Sequence, residues 1–155
     1  MSKRSRRREA ERATPARPRP QNCFLSHSHH NESFADRLAD VLARHTIEVW
    51  YSPRQLFGGA QWHDEIGRAL SARCDWFLVA LSQSAVKSTW VKHELVYALN
   101  NEPFRNGRIT PLLLRNCDWR KLSFTLGNFQ MIDFRKDFHA GCRSLLHGWG
   151  DPVQS

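Results

Sequence analysis

The chain predicts an α/β fold of the flavodoxin-like kind: a three-layer sandwich around a five-stranded parallel sheet of order 2-1-3-4-5, with helices on both faces. Three observations carry this. Short apolar runs alternate along the chain with stretches whose apolar residues recur at helical spacing, and that alternation is the mark of βαβ units. Five such runs can be counted, and 2-1-3-4-5 is a common order for five strands in a doubly wound sheet. The third run, Asp75-Trp76-Phe77-Leu78-Val79-Ala80-Leu81, is almost continuously apolar, as a strand covered on both faces must be.

The first strand is Cys23-Phe24-Leu25-Ser26, an apolar run bounded by polar residues. His27-Ser28-His29-His30-Asn31 follows as a polar turn, with Asn31 suited to cap a helix. Phe34, Leu38, Val41, Leu42 and His45 then fall on one face of that helix. Ile47-Glu48-Val49-Trp50-Tyr51 is a β-branched and aromatic second strand, and Pro53, Gly58 and Gly59 mark the loop from Ser52 to Ala60 as irregular. Trp62, Ile66, Ala69 and Leu70 share a face of the second helix. After the third strand, a long helix begins near Ser88. Arg108 to Leu114 reads as a fourth strand, with Pro111 placed near its start rather than in its paired middle. Asn116 to Asn128 is a loop with a helical turn, Phe129 to Phe134 a shorter fifth strand, and His139 to His147 a last helix.

At 155 residues, 41% of them hydrophobic, the chain has the length of one domain and material for a real core. It contains no apolar run of membrane-spanning length and no secretory pattern at its start, which predicts a soluble, cytoplasmic protein. The net charge of +8 is unevenly placed: residues 1–22 hold eight Lys or Arg against two Glu, so 8 − 6 = +2 remains for the rest. Residues 1–22, poor in large apolar side chains and broken by Pro15, Pro18 and Pro20, read as a disordered basic tail, 23–150 as the folded domain and 151–155 as a disordered C-terminus. The tail is the only segment with the charge to contact nucleic acid or an anionic membrane surface, and the competing reading of it is a solubilising leader. Cys23, Cys74, Cys117 and Cys142 form no CxxC pair and read as buried thiols. His27, His29 and His30 cluster in what reads as a polar turn after the first strand, and such a turn needs no metal, so no metal site is assigned.

The stretch Ser88-Thr89-Trp90-Val91-Lys92-His93-Glu94-Leu95 concentrates the functional signal. As a helix, Val91, Leu95, Ala98 and Leu99 face the core, Lys92 and Val96 point away, and Glu94 stands on the shoulder between them. Trp90 and Tyr97 are its neighbours at i−4 and i+3. A carboxylate at an aromatic core margin is partly desolvated, a condition found at functional sites; the competing reading is a surface Glu paired through solvent with Lys92 or His93. In a 2-1-3-4-5 sheet the ligand crevice opens at the carboxyl ends of strands one and three, which places Ser26, His27 and Ser82 there.

Phe24-Leu25-Ser26-His27, the Trp50-Tyr51 strand end with its Gly58-Gly59 loop, Leu81-Ser82-Gln83-Ser84-Ala85-Val86 and the Glu94 octet occur in an order that resembles a Toll/interleukin-1 receptor (TIR) domain. The pattern is most similar to the prokaryotic, NAD-cleaving branch, and it spans about residues 22–147. The resemblance implies one of two functions. Catalytic TIR domains cleave NAD⁺ between nicotinamide and ribose, and adaptors signal by homotypic assembly. For the first, the resemblance makes Glu94 the catalytic residue and NAD⁺ the substrate, with no separate cofactor. It associates Trp90 with the substrate pocket and sets Ser26, His27 and the loop after strand two, with Tyr51 at its start, beside the nucleotide. Ser88 and Trp62 complete the expected substrate-binding set, Trp62 offering a flat apolar surface to a ring. Expected partners are further copies of the chain, through TIR–TIR contacts, and a separate sensor or effector protein.

One carboxylate is chemically sufficient for such a reaction. Glycosidases use two, one to protonate the departing oxygen and one to support the sugar cation. Nicotinamide in NAD⁺ is already cationic and leaves neutral without a proton, so a single negative charge beside the ribose supplies the stabilisation that matters. The chain departs from the catalytic pattern at Ser52, Gln55 and Phe57, where TIR enzymes commonly carry acidic residues. That departure bears on how ribose and adenine are oriented, and linear and cyclic ADP-ribose products both stay open.

Overall fold

The computed structural model describes residues 19–51 and 64–150. Five parallel strands, β1 (Asn22–Ser26), β2 (Glu48–Tyr51), β3 (Trp76–Leu81), β4 (Ile109–Leu113) and β5 (Ile132–Asp133), lie in the order β2-β1-β3-β4-β5. The helices are α1 (Glu32–Arg44), α2 (Asp64–Arg73), α3 (Gln83–Val86), α4 (Thr89–Asn100) and α5 (Phe138–Gly148). Two apolar layers flank the sheet. Strand alternation sends Cys23, Leu25, Trp76, Leu78 and Leu112 to one face, against Leu38 and Leu42 of α1 and Leu145 of α5. It sends Phe24, Phe77, Val79 and Leu81 to the other, against Val91, Leu95 and Ala98 of α4. All six residues of β3 are buried, as expected of the central strand.

Several elements differ from the sequence reading. Residues 19–22, assigned above to the tail, belong to the fold: the Gln21 and Asn22 amides each donate to the Asp75 carboxylate at 3.1 Å, and the Gln21 carbonyl accepts from Glu48 N. This anchorage runs through backbone polar groups, which hydropathy does not register. On α2, Ala69 is exposed and Leu70 half-buried, while Gly67 is buried. The helix is rotated so that Gly67 meets the Tyr97 ring, which would lie 2.5 Å from an added Cβ. The Ile66 side chain, Trp62, and the loop with Ser52, Gln55, Phe57, Gly58 and Gly59 fall outside the described residues, as does 151–155. The short helix α3 interrupts what reads in sequence as a strand-to-helix loop, and β5 is two residues long rather than six. His45 ends α1 as its C-cap.

Pro111 lies in the middle of β4, not near its start. The bonding parity explains why the sheet tolerates it. Arg108 O and Leu114 N bond to β3, whereas Leu113 O bonds to Phe134 N on the β5 side. The Pro111 nitrogen therefore faces β5, and β5 begins pairing only at Leu112. A missing N–H costs no ladder bond where no partner strand is present.

Burial pushes the thiols of Cys23, Cys74 and Cys142 up, Cys74 to about 12 and Cys142 to about 11, so these three are inert at neutral pH. Cys117 is half-buried rather than buried, and all four cysteines are free.

Candidate functional site

Glu94 is 1% exposed. It lies inside the apolar stripe of α4, together with Val91, Leu95 and Ala98, rather than on its shoulder. Lys92 and His93 are exposed, which removes the solvent-paired reading. The reason is tertiary: α4 packs over β1 and β3 so that this helical position meets the end of β1. There Ser26 Oγ, itself fully buried, donates to Glu94 Oε1 at 2.7 Å, across 68 residues of sequence. Ser26 alternates with Leu25, so the strand that sends Leu25 to the α1 side sends Ser26 to the α4 side.

A second polar cluster joins the ends of β1 and β3. Asn31 Oδ1 accepts from Ser82 Oγ at 2.7 Å and Ser28 Oγ at 3.0 Å, and Ser84 Oγ approaches it at 3.4 Å. The Ser28 and Ser84 hydroxyls are bonded at 2.6 Å. Asn31 does occupy the position before α1, but its side chain makes no capping bond. It is spent instead on tying the first βα loop to the third. Ser82 performs the capping expected at a helix start, accepting from Ala85 N. Ser28, Ser84 and this role of Asn31 escaped sequence reasoning; the only available signal was the density of small hydroxyls after both strands.

Of the other predicted residues, His27 is buried and packs edge-on against Tyr51, with ring centroids 5.6 Å apart. Tyr51 pairs in register with Leu25 and so belongs to the opposite side of the sheet from Ser26. Its hydroxyl donates to Ala35 O and to Asp36 Oδ1, and burial with the Asp36 charge pushes its pKa up to about 12. The structure therefore ties Tyr51 to α1 and not to Glu94. Ser88 caps α4, accepting from Val91 N at 3.2 Å. Trp90 is half-buried one turn before Glu94.

A cleft of about 540 Å³ opens at the carboxyl ends of β1 and β3, lined by Ser28, His29, His30, Ser84, Lys87 and Ser88. Neither Ser26 nor Glu94 lines it. A larger groove of about 690 Å³ runs along the outer side of α4, past Lys87, Lys92, His93 and Val96. It lies on the face of the helix that turns away from Glu94, so its size does not make it the site of chemistry. The buried Ser26–Glu94 pair thus sits below the crevice that the topology dictates, and the segment 52–63 that follows β2 lies outside the described residues.

The family model of the TIR domain matches residues 23–146. The chain belongs to the TIR domain family. Among solved structures, this TIR domain is similar to the TIR domains of the activated Roq1 resistosome directly recognizing the pathogen effector XopQ. The TM-score is 0.60 at 15% identity, covering 83% of this chain and 98% of the other. It is similar also to the TIR domain of the Toll-related receptor TRR-2 from the lower metazoan Hydra magnipapillata, with a TM-score of 0.62, 15% identity and the same coverage. A search of curated proteins finds no sequence match. At that identity the structural likeness speaks for the fold, and it agrees with the strand order observed here. Among the described residues of the TIR domain, no helix is long and apolar enough to cross a membrane.

Proposed function

We propose that the chain is an NAD⁺ glycohydrolase that cleaves the nicotinamide–ribose bond, acting in defence or cell-death signalling. One observation carries this reading: the Glu94 carboxyl, buried on α4 and held by Ser26 at the end of β1. A carboxyl taken out of water costs several kcal/mol unless it is well compensated, and an aliphatic residue would pack the same stripe more stably. Its retention beneath the switch-point crevice is what a reaction needing one negative charge requires. In that reaction Glu94, ionised, stands beside the ribose. As the C1′–N bond breaks, the bond pair goes to the pyridine nitrogen, nicotinamide departs neutral and positive charge develops on the sugar. Ser26 fixes one carboxylate oxygen so that little reorganisation is needed at that moment. Water then adds to C1′ and loses a proton, or an internal nucleophile closes a cyclic product.

The test is incubation of concentrated protein with NAD⁺ and analysis of the products. Nicotinamide release by the wild type, lost in Glu94→Gln, is expected. No release, or equal release from Glu94→Gln, would overturn the reading.

A second reading, a non-catalytic module that signals by TIR–TIR assembly, draws on the lining of the cleft: the open cleft is lined by residues other than Glu94, which at 1% exposure is shut off from it. For the enzyme this means that substrate reaches Glu94 only once the surroundings open, as assembly of several copies would arrange. For the module it means that Glu94 is a structural relic. Concentration-dependent assembly by light scattering, with no turnover in the assembled state, would favour the module.

A further inference from the structure

A second cleft adjoins the crevice at the same carboxyl ends of the strands, sharing His30 with it, between the start of α1, the ends of β4 and β5, and the start of α5. It measures about 330 Å³ and is lined by Arg37, Arg115 and Arg135, with Phe34, Phe134 and Phe138 as its apolar wall. Three guanidinium groups line it, and no carboxylate does. Asp133, just outside, pairs with Arg135 at 3.0 Å, and Asp137 is turned onto the His139 amide as the cap of α5. Arg37 and Arg115 have no carboxylate partner among the described residues. Arg37 is nevertheless fixed, its guanidinium stacked 4.0 Å over the Phe138 ring. Arg135 is fixed by Asp133 and by Asn116.

We propose that this arginine cleft binds a small phosphate-bearing ligand, no larger than a mononucleotide. Guanidinium groups present paired donors that match phosphate oxygens, and two of the three are already held by their neighbours, so little side-chain entropy is lost on binding. The volume stands at the lower end of the range for small-molecule sites, too small for a dinucleotide to be enclosed. Phe34 and Phe138 are half-buried and offer apolar surface to a sugar or base beside the phosphate. His30 and Asn31 also line the cleft, and Asn31 is the acceptor that joins Ser28, Ser82 and Ser84. An occupant would therefore touch the framework of the crevice without entering it. This assignment does not depend on NAD⁺ cleavage.

The experiment is titration of the full chain with inorganic phosphate, with AMP and with adenosine, followed by calorimetry and by backbone amide shifts. Wild type, Arg115→Glu, Arg37→Gln and Lys92→Glu are compared. Lys92 lies in the outer groove of α4, so its variant reports non-specific attraction between anions and a basic chain. Expected are saturable binding of phosphate and AMP, silence of adenosine, and loss of about tenfold or more in affinity in Arg115→Glu and Arg37→Gln but not in Lys92→Glu. Tighter binding of AMP than of phosphate would assign a nucleotide, and equal affinities the phosphate group alone; both support the site. Absence of saturable binding at millimolar ligand, insensitivity to Arg115→Glu and Arg37→Gln, or equal weakening by Lys92→Glu would overturn it. Arg115 is exposed, so its variant keeps the fold, and unchanged amide shifts away from the cleft verify that.

Discussion

The two faces of the sheet are covered in the same way but hold different things. On the α1 and α5 side, Leu25, Leu38, Leu42, Leu78, Leu112 and Leu145 build an apolar layer whose buried polar contact is a neutral one, Trp76 Nε1 donating to Thr110 Oγ1 at 2.8 Å. On the α4 side, Phe24, Phe77, Val79, Val91 and Leu95 build a comparable layer, and Glu94 with Ser26 is set into it. A layer that needed only to hold the sheet would have the first composition. On the reading proposed above, the difference marks where folding stability is exchanged for a carboxyl in a chosen place, and it can be broken or sharpened by substitution.

The largest effect is expected on activity. Glu94→Gln keeps the shape of the side chain and replaces the carboxyl by an amide that cannot ionise, and NAD⁺ cleavage should fall by about 10²-fold or more; chromatography of the nicotinamide released measures it. If cleavage is observed and survives the change, the buried charge is not the reason for the difference between the faces. Next in size, Leu38→Ala and Leu95→Ala each open a void in one layer. Both should destabilise by about 2–5 kcal/mol in urea unfolding. Similar losses would show that the α4 side is as well packed as its counterpart despite the carboxylate.

The double change Glu94→Leu with Ser26→Ala makes the α4 layer apolar throughout. It should raise stability by about 1–4 kcal/mol while leaving the protein unable to cleave NAD⁺, because both members of a buried polar pair are replaced together. A fall in stability would mean that the pair holds the fold rather than serving chemistry. Asn31→Ala removes the acceptor shared by Ser28 and Ser82 and should cost about 1–2 kcal/mol, read as a lower urea midpoint. The same variant should loosen the crevice and not the arginine cleft's guanidinium groups.

The smallest effect lies at the exposed rim. The hydrogen bonds from Arg135 pull the Asp133 carboxyl from its ordinary 3.8 down to about 2. A depressed carboxylate stabilises the fold above its unfolded value, and that contribution is lost as pH falls from about 4 through about 2. Asp133→Asn should therefore flatten the acid limb of the stability profile in that window and change little at neutral pH, where solvent screens an exposed pair. Acid titration followed by circular dichroism checks it.

Much of the architecture was legible from the residues. The continuous apolar run of β3, the helical spacing of Phe34, Leu38 and Leu42, and the alternation of element types led to the strand order observed. Less legible were features that depend on a partner distant in sequence. The rotation of α2 is set by the Tyr97 ring over Gly67, and the anchorage of residues 19–22 by the Asp75 carboxylate, neither of which leaves a local pattern. Pro111 was misplaced because one-dimensional reading does not show which neighbour a strand residue bonds to.

By itself, the sequence determined the sheet, its order, the family pattern and the identity of Glu94 as the acidic residue that helical packing would not ask for. Tertiary structure alone decided that this carboxyl is fully buried against Ser26, that Tyr51 turns to α1, and that Arg37, Arg115 and Arg135 converge on one cleft. The physical reason is that periodicity fixes which face of its own element a residue occupies. What that face meets depends on how elements separated by tens of residues are stacked, and no short stretch of chain contains that information.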